Sequence, residues 1–352
     1  DYYGNGNYMA TCASTYKSSN RLYTIARSPT GSYNEIWCIS DSTGLIIWKT
    51  HINRLCIRII DYSLTELLLI TRVNNFYEYH IVNKVTGKVI FTKLLGNTIY
   101  GNTPNILVDD NKNILISWDE KCYKYRDKNL TQLLWTSNMP NNGILKMIDV
   151  LIQDSARYLF IGNNYARAVD SLTGNTIWYK PVPVGYVQGQ QSGGDGYSSG
   201  SILKDSLLYI TWISPSVGGI DLGRGFTLTR LNTGNGFMSF NVAYDFNGIP
   251  ADPAPTAEGE MDWPLAMSMD ANHNIYLSGS YDYSSGPANP GNWGIMKING
   301  ISGARIYEAT ITEDSTKRMT QSQGHFLYYY NGKMYCAGNL NKRGSVARAR
   351  PL

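Results

Sequence analysis

Charge is what this chain has least of. Of its 352 residues only 16 % are Asp, Glu, Lys or Arg, against about a quarter in an average soluble domain. The net charge is +4, and the basic residues form no stripe apart from Lys342, Arg343, Arg348 and Arg350. No nucleic-acid partner is expected, because the footprint that phosphate binding needs is missing. Cysteine is scarce as well. Cys12, Cys38, Cys56, Cys122 and Cys336 are odd in number, irregular in spacing and without a C-x-x-C pair. That excludes a zinc ribbon or redox motif. One or two disulfides can form, and burial as small hydrophobes is the expected role for most. No apolar run approaches the roughly 20 residues of a membrane-spanning helix. Leu67-Leu68-Leu69-Ile70 is the length of a strand. No stretch combines a 3.6-residue apolar period with helix caps, so no helix is expected. The chain starts at Asp1 without Met or a signal segment, as expected of a processed or truncated product.

What fills the gap is Tyr (27), Gly (34) and abundant Ser, Thr and Asn. This uncharged, turn-rich composition suits an all-β protein on the outside of a cell or a virion. One phrase recurs: a strand end, a tight Thr-Gly turn, then a second strand with an aromatic residue. Val169-Asp170-Ser171-Leu172-Thr173-Gly174 leads to Trp178, Ser40 to Gly44 leads to Trp48, and Asn83 to Gly87 leads to Phe91. Looser copies are Asn232-Thr233-Gly234 before Phe237 and Met238, Asn299 to Gly303 before Ile306 and Tyr307, and Asp127 to Leu130 before Trp135. The first four aromatics stand at 48, 91, 135 and 178, intervals of 43, 44 and 43. A fixed period in the forties means a repeat architecture. A second phrase, two apolar segments around an Asp/Asn turn, sets the register. Ile106 to Ile116 and Met267 to Leu277 are its clearest copies, and both read as hairpins.

Each repeat therefore reads as four strands, A to D. The expected units are 8–52, 53–96, 102–139, 144–183, 200–243, 263–311 and 322–352, with residues 1–7 completing the last. Four-stranded units repeated radially make a β-propeller. The expectation is one domain over 1–352 with seven blades (eight is the alternative count), its ring closed by the N-terminal segment.

The D-x-x-T-G-x-x-x-W phrase resembles the repeat of quinoprotein-like, PQQ-type β-propellers. Asp170, Thr173, Gly174 and Trp178 carry it best, then Asp41, Thr43, Gly44 and Trp48. The resemblance implies that the Thr-Gly turn and the Trp pack between neighbouring blades. Trp118-Asp119 looks like the dipeptide of WD40 repeats but occurs once. For a quinoprotein dehydrogenase the resemblance would further imply a vicinal Cys-Cys pair, a catalytic Asp and a Ca²⁺ held by Glu, Asn and Asp. The chain has no Cys-Cys dipeptide, so no catalytic residue is assigned. His51, His80, His273 and His325 fall in separate repeats, His51 and His80 near strand ends and His273 in a turn. G-x-S-x-G and H-E-x-x-H are absent.

Function in a repeat protein lies where the repeat is broken. Four insertions interrupt repeats five and six: Pro183–Gly200, Ser214–Gly225, Ala243–Asp262 and Tyr281–Trp293. The first and third join D to A, the second and fourth join B to C. Strands alternate in direction, so all four are expected at one face. Candidate contact residues are Tyr186, Gln190, Asp195 and Tyr197; Asp221 and Arg224; Tyr244 and Trp263; and Tyr281, Asp282, Tyr283 and Trp293. Aromatic side chains with a polar handle, set among Gly, Ser and Asn, suit a glycan or protein partner. Asp252, Glu258, Glu260 and Asp262 are the candidate Ca²⁺ ligands, though without D-x-D-x-D-G spacing; no other cofactor is expected. Paired acids for glycoside hydrolysis could be drawn from Asp195, Asp221, Glu258 and Glu260.

The expected function is a non-catalytic binding or scaffold module at a cell or virion surface, with protein or glycan partners and a place in a larger assembly. The alternatives are a quinoprotein-type or glycan-active enzyme, and an assembly scaffold of an outer-membrane or filament complex.

Overall fold

A computed structural model of the chain describes residues 15–18, 20–27, 34–52, 54–73, 76–97, 104–118, 121–138, 150–154, 156–162, 165–181, 197–213, 216–217, 220–221, 226–244, 261–283, 290–311, 322–330 and 333–340. Among them every regular element is a strand. The chain divides into two compact units, residues 1–146 and 147–352.

The first unit holds three antiparallel sheets of four strands, each a meander in which neighbours in sequence are neighbours in space. Sheet one is Thr15–Ser18, Arg21–Arg27, Asn34–Ser40 and Ile46–Ile52; sheet two is Leu55–Asp61, Glu66–Val73, Phe76–Asn83 and Val89–Asn97; sheet three is Asn105–Val108, Ile114–Trp118, Lys121–Tyr125 and Leu133–Asn138. The strands of each are called A to D in that order. Strand B of sheet two explains its uninterrupted apolar run. Leu67 and Leu69 enter a core with Tyr23, Ile36 and Cys38 of sheet one. Leu68 and Ile70 enter another with Ile106, Ile114 and Ile116 of sheet three. A strand buried on both faces needs apolar residues at every position. Strand D instead alternates, as in Leu133–Asn138, where only Trp135 and Ser137 are buried.

The second unit repeats the plan. Sheet four is Val150–Asp154, Arg157–Ile161, Tyr165–Asp170 and Thr176–Pro181; sheet five is Tyr197–Lys204, Leu207–Ile213, Phe226–Asn232 and Met238–Tyr244; sheet six is Met261–Met269, Asn274–Tyr283, Pro290–Asn299 and Arg305–Ile311. A two-stranded hairpin, Ser322–Tyr330 with Lys333–Leu340, packs on sheet six through Leu327. Leu208, Ile210 and Trp212 of sheet five meet Leu159, Ala168 and Trp178 of sheet four. On the opposite face Tyr209 and Leu228 meet Ile275, Leu277 and Met296 of sheet six. The segments expected to complete the last blade, 1–7 and 345–352, lie outside the described residues.

The recurring phrase is a four-residue hairpin loop. In sheet four the Gly174 amide donates to the Asp170 carbonyl (2.9 Å), and the Asp170 amide donates to the Asn175 carbonyl (2.9 Å). The Asp170 carboxylate accepts the amides of Leu172 (3.0 Å) and Thr173 (2.7 Å) and the Thr173 hydroxyl (2.9 Å). A short acceptor side chain satisfying the amides two and three residues on is what makes Asp, Asn and Ser recur at this place. The aromatic follows the left-handed glycine by four residues: Trp48 after Gly44, Phe91 after Gly87, Trp178 after Gly174.

That count corrects the fifth repeat. Its left-handed glycine is Gly236, not Gly234, and the Gly236 amide closes the loop on the Asn232 carbonyl (2.8 Å). The inward aromatic is therefore Phe240, which packs in the core between sheets five and six. Phe237, expected in that role, is 64 % exposed. Two further expectations shift. The fourth insertion is largely strand: pairing runs from Asn274 and Asn299 out to Tyr283 and Pro290, leaving 284–289 as the connection. The third ends at Met261, where strand A of sheet six begins. His80 lies inside Phe76–Asn83 rather than near its end.

Candidate functional site

The connections of the second unit divide by length. A–B and C–D turns are short; the A–B turn of sheet five is Asp205-Ser206 alone. The longer connections are 182–196 between sheets four and five, 214–225 within sheet five, 245–260 between sheets five and six, 284–289 within sheet six, and 312–321 from sheet six to the hairpin. The second and fourth run from B to C, and the others leave from strand D. In an antiparallel meander both kinds leave from the same strand ends. Part of the second connection is a ribbon, Ser216–Val217 against Ile220–Asp221.

Tyr186, Gln190, Asp195, Arg224, Asp252, Glu258 and Glu260 lie outside the described residues. The others fall on strands at the ends nearest these connections. Tyr197 pairs with Ile213, and Asp221 with Ser216. Asp262 sits on strand A of sheet six beside Trp263. Trp263 pairs with Ser280 and Ser280 with Trp293, so both tryptophans occupy one rung of sheet six, with Ser280 between them. Tyr281 pairs with Asn292 on the next rung, followed by Asp282, and Tyr283 pairs with both Met261 and Pro290. Neighbouring strands lie about 4.8 Å apart, so these backbone positions cluster. Tyr244 is placed differently. It is 8 % exposed, its ring stacks on Phe226 (5.7 Å between centroids), and its hydroxyl donates to the Gly303 carbonyl in the C–D turn of sheet six. Burial holds its phenol protonated. Ring and hydroxyl are thus engaged by the protein itself.

The sheets that carry this end are tied through the repeated Trp and turn, as the repeat resemblance implies, and through basic side chains beside them. Trp178 Nε1 and an Arg157 guanidinium nitrogen both donate to the Thr233 carbonyl in the C–D turn of sheet five (2.8 and 2.7 Å). Arg230 donates to the Gly300 and Ile301 carbonyls in the next such turn (2.9 and 2.7 Å). Lys204 donates to the Asp270 carbonyl (2.8 Å). In the first unit Trp48 and Arg21 do the same to the Lys84 carbonyl (2.9 and 3.2 Å). Within each unit, indole and charge-assisted bonds to turn carbonyls tie one sheet to its neighbour.

Two polar clusters lie elsewhere. At the short-turn end, the Tyr209 hydroxyl is 3.4 Å from His273 Nδ1, and His273 Nε2 is 3.3 Å from Asp205. Tyr209 is fully buried, and burial raises its pKa against the opposing pull of Arg230. The phenol stays protonated, and the line of residues joins two turns. In the first unit, His80 bonds Thr71 and Thr92 through its two ring nitrogens (2.8 Å each). Burial lowers its pKa against the pull of Glu78, and Arg54 adds to the lowering. Among the described residues no three His, Cys, Asp or Glu side chains gather as metal ligands. Asp270 illustrates why: burial works to raise its pKa, but donation by Asn274, Tyr276 and the Asn272 amide lowers it overall and occupies both oxygens.

No known family profile matches the sequence, and no curated protein does. Solved structures do match. BamB from Moraxella catarrhalis is 13 % identical over 93 % of both chains, with a TM-score of 0.51. Hsv2 from Kluyveromyces lactis is 8 % identical over 93 % of this chain and 89 % of its own, with a TM-score of 0.52. Both are propellers, BamB of the PQQ-like repeat type. At such identities the likeness is one of fold: this chain is an all-β protein with a β-propeller fold, and its repeat resembles that of the quinoprotein-like, PQQ-type propellers.

Proposed function

We propose that the chain is a non-catalytic binding or scaffold module of a cell or virion surface, recognising a protein or glycan through the long connections of sheets five and six. One observation carries this reading. The long connections of the second unit all leave from the same strand ends, while the turns at the other ends stay short. Length concentrated at one end of a rigid scaffold is how binding loops are presented. Rigidity comes from the side-chain bonds that tie neighbouring sheets within the unit, and Trp263 and Trp293 share one backbone rung beside the loops. Any Ca²⁺ would be held by Asp252, Glu258, Glu260 and Asp262.

The test compares wild type with the Trp263→Ala/Trp293→Ala double variant on a glycan array and in surface cross-linking to intact cells. Saturable binding that falls at least about tenfold in the double variant, with unchanged circular dichroism, supports the reading. Binding that survives both substitutions and a shortened 182–196 connection refutes it. Visible quinone absorbance after reconstitution with PQQ and Ca²⁺ would favour the enzymatic alternative.

A further inference from the structure

The third repeat departs from the turn phrase, and the residues that replace it carry a chemistry of their own. Between strands C and D of sheet three the chain reads Asp127-Lys128-Asn129-Leu130-Thr131. The acid is kept and the Thr-Gly pair is lost. Asn129-Leu130-Thr131 is the acceptor triplet N-x-[S/T] of N-linked glycosylation, with no proline at its centre. The chain holds 32 Asn and is rich in Ser and Thr, yet the triplet occurs once. Random placement in so rich a composition would give several, so composition does not account for where this one stands.

The fold sorts the residues of the turn by direction. Leu130 is 3 % exposed, takes a left-handed φ of +57°, and enters the core shared with sheet two. Its carbonyl receives the Lys93 ammonium from strand D of sheet two (2.5 Å). Lys128 reaches Glu66 of the same sheet (2.5 Å). Asn129 stands between these two and is exposed. Its side chain has no hydrogen-bond partner among the described residues. The turn is held from Asp127 instead. That carboxylate accepts the backbone amides of Asn129 (2.9 Å), Thr131 (3.1 Å) and Gln132 (2.7 Å) and the Thr131 hydroxyl (3.1 Å). No bond of the turn passes through the Asn129 side chain, so the turn keeps its shape when that side chain is extended. The Thr131 hydroxyl, by contrast, is engaged once the turn has closed.

We infer, resting on the surface location proposed above, that Asn129 is the acceptor of an N-linked oligosaccharide, attached during export and before this turn closes. The Asn129 amide nitrogen bonds to the anomeric carbon of a lipid-pyrophosphate-linked oligosaccharide. The bond from that carbon to the phosphate oxygen breaks, the lipid pyrophosphate leaves with the electron pair, and the nitrogen gives up one proton. As the turn closes, Asp127 takes up the Thr131 hydroxyl, and the glycan projects from the short-turn end of sheet three. A modification of this kind belongs on an exposed loop of an exported chain.

The test translates the full chain behind a cleavable export signal, with and without endoplasmic-reticulum microsomes, which carry the transferase and its lipid-linked donor. Protease protection identifies the chains that enter. A single upward mass shift in protected chains, removed by peptide-N-glycosidase, is expected. Asn129→Gln and Thr131→Ala should abolish the shift, and Thr131→Ser should retain it. Asn129→Gln leaves every bond of the turn in place, so its circular dichroism should match that of wild type. Protected wild-type chains without the shift, or a shift that survives Asn129→Gln, overturn the inference. Chains that never become protected overturn the surface location and the inference with it. The Trp263→Ala/Trp293→Ala variant should still show the shift, which separates failure here from failure of the loop surface.

Discussion

Alanine at Gly44 and at Gly236 puts the same backbone question to two turns and a packing question to only one of them. The two glycines have nearly equal dihedrals, φ of +70° and +68°. Alanine in that region costs about 1–2 kcal/mol. At Gly44 an added Cβ meets nothing within 4 Å. At Gly236 it would stand 2.8 Å from Cδ2 and Cε3 of Trp178. The ring has no easy retreat, since it is 9 % exposed and its Nε1 is bonded to the Thr233 carbonyl. Relief must displace the indole or the turn, adding about 1–3 kcal/mol of overpacking and about 1 kcal/mol for the lost hydrogen bond. Gly236→Ala should therefore cost about 3–6 kcal/mol and Gly44→Ala about 1–2 kcal/mol. Urea denaturation of both variants, with Gly44→Asn as a near-neutral control, reads the difference. A Trp178→Ala background removes the obstacle, so there Gly236→Ala should fall to the Gly44→Ala value. Equal losses at the two positions in the wild-type background would refute the claim that the indole sits on the next sheet's glycine.

Two more outcomes follow. Phe240→Ala should cost about 2–4 kcal/mol, as a core aromatic under Arg230 (5.1 Å to the ring centroid), whereas Phe237→Ser should change stability by under about 0.5 kcal/mol; urea midpoints in the reverse order would restore the other register. His80 sets a pH dependence. Burial holds its folded pKa below the ordinary value of about 6.5, so the unfolded chain binds the proton more readily and stability falls as pH drops through that value. Denaturation at about pH 7.5 and 5.5 should show a smaller loss for His80→Gln than for wild type, and parallel losses would place the dependence elsewhere.

Much of the architecture was legible because it is local. The turn phrase names its own chemistry: an acceptor at Asp170 or Asn83, then a glycine where the backbone must be left-handed. The four-strand unit and the short-turn end follow from the spacing of those phrases. The fifth repeat misled because Asn232-Thr233-Gly234 imitates the phrase two residues early. Thr233 is instead the residue whose carbonyl receives Trp178 and Arg157. The candidate site was legible as insertions and aromatic content. The strand extension to Tyr283 and Pro290 was hidden because Gly, Ser and Asn carry weak strand signals. Tyr244 looked like a loop residue at the end of strand D, but its side chain reaches back to Gly303.

Sequence by itself determined the period, the turn type, the all-strand make-up of the described residues and the repeats in which insertions gather. All of these rest on residues within a few positions of one another. Tertiary structure alone decided which carbonyl each Trp and Arg caps, which glycine lies under an indole, and which aliphatics of strand D stay open. Those depend on the neighbouring sheet, tens of residues away, and no local pattern encodes the distance between Trp178 and Gly236 or the exposure of Ile90 and Leu94.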